Sequence, residues 1–104
     1  MPRRSAGGLR YSSAAVRELR AQLEHYAAIS PGVKFDFADA IRQAETLAIN
    51  NPTGFASVLD DADLRVIVIR RFPYRLIYRL QADTVVIVAI AHTAMHPKRF
   101  AGRA

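Results

Sequence analysis

Apolar and polar positions divide the chain into an opening stretch with little to bury, two helical patterns, and three strand-like runs. Met1–Gly8 (MPRRSAGG) holds Pro, Ser and two glycines and reads as a flexible N-terminal tail. Leu9–Tyr11 suits a short first strand. Ser12 or Ser13 can cap a helix, behind which Val16, Leu19, Leu23 and Tyr26 recur at helical spacing with Arg17, Arg20 and Glu24 off the stripe. Ser30-Pro31-Gly32 interrupts it. A second stripe follows in Val33, Phe37, Ile41, Ala44 and Leu47, widened by Ala40 and Ala48. It stops at Asn50-Asn51-Pro52, because the residue before a proline disfavours the helical region. So short a break predicts an antiparallel helical hairpin whose two stripes face the core. Phe35 and Phe55 lie outside the stripes and are expected to mark an exposed apolar patch.

Thr53–Asp63 reads as a connecting loop carrying the acidic cluster Asp60, Asp61 and Asp63. Three strands are predicted after it: Leu64–Arg71, Tyr74–Leu80 and Thr84–His92. Pro73 cannot donate to a ladder and belongs at a strand start. Gln81-Ala82-Asp83 is a compact turn that favours antiparallel pairing. The nearly unbroken apolar run Thr84–His92 (TVVIVAIAH) predicts a central strand covered on at least one face. Helices first and strands later indicate an α+β domain over residues 9–104, with the hairpin packed on one face of a twisted antiparallel sheet of three to four strands.

Composition narrows the function. At 104 residues the chain can bury one core, and 51% hydrophobic residues are enough for it to fold. Fifteen Lys and Arg stand against nine Asp and Glu, for a net charge of +6, and all but Lys34 and Lys98 of the cations are arginines. Arginine's rigid fork suits phosphate and carboxylate. From Leu64 onward Arg65, Arg70, Arg71, Arg75, Arg79, Lys98, Arg99 and Arg103 face a single acid, Asp83. Such a concentration calls for an acidic macromolecular partner, not a small-molecule substrate. The absence of cysteine removes disulfides, thiolate metal sites and thiol catalysis. No apolar run approaches the roughly 20 residues of a membrane helix. The N-terminus lacks a signal-peptide core, so a cytoplasmic location is expected. No cofactor motif is present.

The chemistry-bearing residues sit late in the chain. Arg75 and Arg79 are four apart on one predicted strand, hence on one face with Ile77 between them. Arg65 shares a face with Ile67 and Ile69 and should lie at a sheet end. Tyr74 and Tyr78 alternate with apolar residues, a pattern of core packing more than of base stacking. His92 and His96 could supply acid–base capacity or, at their spacing, a metal pair. With Pro97 following and no acid nearby, neither metal binding nor histidine-based nuclease chemistry is expected, and Arg75, His92 and His96 remain weak catalytic candidates.

Several of these segments together resemble the RelE/ParE superfamily of type II toxin–antitoxin toxins, often called plasmid stabilisation proteins. The matching parts are the helical hairpin ending at Asn51-Pro52, Leu64-Arg65 opening a strand, and the run Arg71-Phe72-Pro73-Tyr74-Arg75-Leu76-Ile77-Tyr78. Val88-Ala89-Ile90-Ala91-His92, His96-Pro97, Phe100 and Arg103 match the closing motif. The resemblance covers about Tyr11 to Arg103. It implies the hairpin-on-sheet fold, an acidic ParD-like ribbon-helix-helix antitoxin as partner, and growth arrest by poisoning DNA gyrase (ParE-like) or by cleaving messenger RNA in the ribosome (RelE-like). Arg75 matches one RelE-like arginine, but Met95 stands where the later arginine would be, and Phe100 replaces an aromatic with a hydroxyl. The resemblance is therefore closer to ParE, a toxin that binds and does not catalyse; a RelE-like ribonuclease and a degenerate toxin retaining only antitoxin binding are the alternatives. Arg65, Arg71, Arg75, Arg79, Tyr74, Lys98, Arg99, Phe100 and Arg103 are the expected partner-binding residues.

Overall fold

The computed structural model describes residues 5–58 and 61–104. The first four residues of the expected tail, and Asp60 of the acidic cluster, lie outside them. The order of elements is β1 (Gly8–Tyr11), α1 (Ser13–Ile29), α2 (Pro31–Asn50), β2 (Ser57–Val58), β3 (Asp61–Val68), β4 (Tyr74–Gln81) and β5 (Thr84–His92), followed by a 3₁₀ turn at Pro97–Phe100. Residues just before β1 are docked: Ala6 is buried and its N–H donates to the Ile49 carbonyl at 2.8 Å.

Both helices start as their sequence dictates. Ser12 caps α1 by accepting from the Ala15 N–H at 3.2 Å. Ser30 ends α1, donating its N–H to Tyr26, and begins α2, its hydroxyl accepting from the Val33 N–H at 3.1 Å. Pro31 follows in the first helical turn, where its missing N–H costs nothing. One extended residue is thus the whole joint. Tyr26 near the end of α1 meets Phe37 near the start of α2, while Leu19 and Ile41 share a groove farther along, so the pair is antiparallel.

The buried lines differ slightly from the predicted stripes. On α2 they are Phe37, Ala40, Ile41, Ala44 and Ala48, whereas Leu47 is 46% exposed. On α1 Ala15, Leu19, Leu23 and Tyr26 face inward and Val16 turns out. The rest of each stripe is as expected; only Val16 and Leu47 turn outward, and the buried Ala15 and Ala48 beside them lie about 100° around the helix. Phe35 is 74% exposed, whereas Phe55 packs against the core.

The sheet has five strands in the order β1-β5-β4-β3-β2, not three to four, and it is mixed. β1 runs parallel to β5, from Gly8 opposite Thr84 to Tyr11 opposite Ile87, and the other pairs are antiparallel. Part of the predicted loop Thr53–Asp63 is strand: β2 is too short to show periodicity, and β3 starts at Asp61, which pairs with Val58. Arg70 and Arg71 correspondingly fall in the β3–β4 turn.

β4 alternates cleanly. Tyr74, Leu76 and Tyr78 point to the helices, and Ile77 points to the opposite face. β5 cannot alternate throughout, because the register skips Val88 between the pairs Tyr78–Ile87 and Ile77–Ala89. Val85, Ile87 and Ile90 face the helices, while Val86, Val88, Ala89 and Ala91 face away. The apolar run is continuous because both faces are covered, the second by Val58, Leu64, Val66 and Phe100. Beneath the helical elbow Tyr26, Phe37, Phe72 and Tyr74 form a cluster with centroids 4.8 to 6.4 Å apart, mostly edge to face.

Two turn positions carry positive φ without being glycine, Arg71 at 67° and Ala82 at 52°. Ala82 is the first of two residues linking Gln81 to its partner Thr84, a position that favours glycine when φ is positive. Ala82→Gly should raise stability by about 1 kcal/mol, read as a higher denaturant midpoint at unchanged slope.

All four tyrosines are held in the neutral form. Burial raises Tyr11, Tyr26, Tyr74 and Tyr78, and Tyr78, whose hydroxyl donates to the Pro52 carbonyl at 2.7 Å, is pushed up to about 12. For Tyr11 the Glu45 carboxylate, accepting its hydroxyl at 2.5 Å, adds to burial. A raised phenol stabilises the fold below its unfolded value of about 10 and loses that contribution as pH rises through the folded value. Phenolate absorbance should therefore lag the ordinary titration and rise together with loss of helical circular dichroism.

Candidate docking face and its C-terminal strap

The face of the sheet away from the helices is bounded by β2 on one side and by the chain after β5. Past His92 the backbone turns twice on histidine side chains: Ala94 N–H donates to His92 Nδ1 at 3.0 Å, and Lys98 N–H to His96 Nδ1 at 3.2 Å. His96 thereby caps the Pro97–Phe100 turn, which drops Phe100 into the second core.

Three residues then strap the tail to the sheet. Arg79 on β4 pairs through both terminal nitrogens with Asp61 on β3, and its Nε donates to the Arg103 carbonyl at 2.6 Å. The same carboxylate accepts the Gly102 N–H at 3.0 Å. Gly102 holds φ at 76°, a region that suits glycine. The Arg79 guanidinium, then the Gly102 N–H, hold the Asp61 carboxyl well below the usual carboxylate range.

Arg103 passes over the Phe100 ring at 5.1 Å and reaches Glu18 on α1 at 3.1 Å and the Val88 carbonyl at 3.0 Å. Glu18 also accepts the Ile90 N–H at 3.1 Å. These groups lie where β1 has left the sheet: Ser12 takes the Ile87 carbonyl through its N–H, and Glu18 and Arg103 satisfy the next positions. The two ion pairs among the described residues, Asp61–Arg79 and Glu18–Arg103, both hold the tail.

Beside the strap lies a cavity of about 490 Å³, floored by Val58 and Val66 and walled by Arg75, Met95, His96 and Pro97. Arg75 and His96 are thus brought together. His92 lies on the other side of the strand end, its ring 5.3 Å from Tyr74, in a recess of about 320 Å³ shared with Gln22, Glu18 and Arg103. No group of three or more His, Cys, Asp or Glu converges among the described residues.

The expected partner-binding residues separate into two kinds. Arg65 donates to the Thr53 and Phe55 carbonyls at 3.1 and 2.8 Å, and Arg79 and Arg103 are held in the strap. Tyr74 is buried and its hydroxyl donates to Gln22 at 2.6 Å, and Phe100 is a core residue. Arg71, Lys98 and Arg99 are exposed, and half-buried Arg75 lines the cavity. Sequence reasoning missed Asp61 and Glu18, which organise the strap. Their only signal was polarity in a predicted loop and on a helix flank.

Asp61 contributes stability above its unfolded pKa of about 3.9 and loses it as pH falls. The Gly102 amide should be protected from hydrogen exchange at neutral pH, stay protected at about pH 4, and lose protection only as pH falls through the depressed folded-state value of Asp61. Asp61→Asn should remove that protection at neutral pH, with amides of α2 unaffected.

The family model described as the ParE toxin of type II toxin–antitoxin system, parDE, matches residues 9–97. Seven chains among solved structures match the fold. One, from the chromosomal ParDE toxin–antitoxin system of P. aeruginosa, is similar at 21% identity and a TM-score of 0.69, over 82% of this chain and 94% of that one. No curated protein is significantly similar in sequence.

Proposed function

The chain belongs to the ParE toxin family of type II toxin–antitoxin systems, and on that premise we propose that it arrests growth by binding DNA gyrase in the cytoplasm. We take its neutralising partner to be a ParD-like ribbon-helix-helix antitoxin with an acidic segment. One observation supports binding over catalysis. Among the described residues the sheet cavity offers Arg75 and His96 as its only titratable groups. Cleaving RNA through its 2′-hydroxyl calls for a base and an acid in reach of one phosphate. Arginine stays protonated, so His96 is the single proton carrier there. Phe100 is buried and has no hydroxyl, and Met95 supplies no charge.

The free cations suit the antitoxin. Arg71, Arg75, Lys98 and Arg99 can meet its acidic groups, and the recess of about 180 Å³ lined by Leu19, Leu23, Ala38 and Ile41 can take apolar anchors from the same segment. Phe35, exposed on the same helix as Ala38 and Ile41, offers a further apolar contact.

Purified protein should inhibit gyrase supercoiling, and the cognate antitoxin should relieve the inhibition. In a parallel translation extract messenger RNA should stay intact. Cleavage that disappears on Arg75→Ala, with gyrase untouched, would transfer the chain to the ribosome-dependent ribonucleases. Antitoxin binding with neither effect would mark a degenerate toxin.

A further inference from the structure

The strap divides the arginines of the sheet into those whose charge is engaged and those left free. At the end of the sheet holding Asp61, Asp63 and Asp83, Arg79 is ion-paired and Arg65 is bonded to two carbonyls. At the opposite end, the β3–β4 turn, Arg70 and Arg71 stand next to each other, exposed, and neither has an ion-pair partner among the described residues. They form a recess of about 300 Å³ with Ala40 and Gln43 of α2. On that helix Asp39 accepts the Gln43 amide at 2.9 Å, and neither Asp36 nor Asp39 is ion-paired to either guanidinium.

The backbone adds an independent observation. Arg71 is held at φ 67°, in the left-handed region that glycine or asparagine adopts more readily than arginine. The turn keeps its neighbours in place regardless: Phe72 N–H donates to the Ile69 carbonyl at 3.3 Å, and the Phe72 ring is wedged against Tyr26 and Phe37 at 5.2 and 5.1 Å. The two guanidinia are therefore carried on an anchored turn, not on a loose loop.

We infer that the Arg70–Arg71 recess is a phosphate-binding site that grips the sugar–phosphate backbone of duplex nucleic acid. Two adjacent forks give paired N–H donors for phosphate oxygens, and the Gln43 side chain borders the same space. Among the described residues the lining contains no aromatic ring on which an unpaired base could stack, the feature that single-strand sites rely on. Guanidinium contacts to phosphate oxygens carry no base preference. The inference goes beyond the gyrase reading and needs no gyrase to be tested.

The test is fluorescence anisotropy of the full chain with a labelled short DNA duplex, across a salt series and with no other protein present. The variant is Arg70→Gln with Arg71→Asn, the asparagine chosen because it tolerates positive φ. Arg17→Gln with Arg20→Gln removes the same charge from the exposed face of α1. The recess variant should weaken duplex binding at least tenfold and flatten the log–log salt slope by about 1.8, from two lost phosphate contacts. The α1 variant should change the slope by much less. Equal losses in both variants would reduce the effect to net charge and overturn the proposal. So would absence of duplex binding, tighter binding of the corresponding single strand, or saturation of the recess by inorganic phosphate alone with no response to duplex. Unchanged circular dichroism of both variants separates each outcome from misfolding.

Discussion

Strand β5 loses its neighbour halfway along. β1 pairs with it from Gly8 to Tyr11 and then turns into α1, leaving the edge beyond Ile87 without a strand. Backbone groups in that position must find partners or be left to water. Ser12 N–H takes the Ile87 carbonyl, Glu18 takes the Ile90 N–H, and Arg103 takes the Val88 carbonyl. Val88 is also the residue that the β4 register skips, so the bulge and the abandoned edge coincide. Two distant parts of the chain meet there: the capped first turns of α1 and the C-terminal tail. Once Arg103 is committed to this edge, the path of residues 97–103 over the second core follows, and with it the shape of the cavity beside Arg75.

Much of this architecture is written in local pattern. The serine caps, the proline after Ser30, the stop at Asn51-Pro52 and the two-residue link after Gln81 all act over a few residues, so they can be read without knowing the fold. β5 reads as central because no polar residue interrupts it. What is not legible depends on partners far away in sequence. Nothing in Gly8–Tyr11 announces a parallel partner at Thr84–Ile87, and a two-residue strand such as β2 has no period. The same limit applies to charge. Arg79 and Arg103 look like members of a free basic surface until Asp61 and Glu18 are seen beside them. The apolar stripes show a smaller version of the problem: Ala44 and Ala48 carry the buried line where Leu47 has the larger side chain, because position around the helix decides contact before size does.

The engaged arginines alter what the chain's positive charge means. Net charge is a property of composition, but only cations without internal partners can attract anything from solution at short range. Arg65, Arg79 and Arg103 act as structural ties, each reaching carbonyl oxygens that a shorter cation would serve poorly. The cations left over are unevenly placed, and the acids of the sheet lie mostly at the other end. A basic chain thereby becomes a directional one.

The parallel pairing of β1 with β5 also orders events in time. The helical hairpin and the β3–β4–β5 meander are built from contacts close in sequence, and each can form by closing short loops. Joining Gly8 to Thr84 closes most of the chain at once, which carries the largest entropy of closure in the molecule. First to emerge during synthesis, β1 must therefore wait for the last strand before it has an edge to join, and until then β5 presents that whole edge to its surroundings.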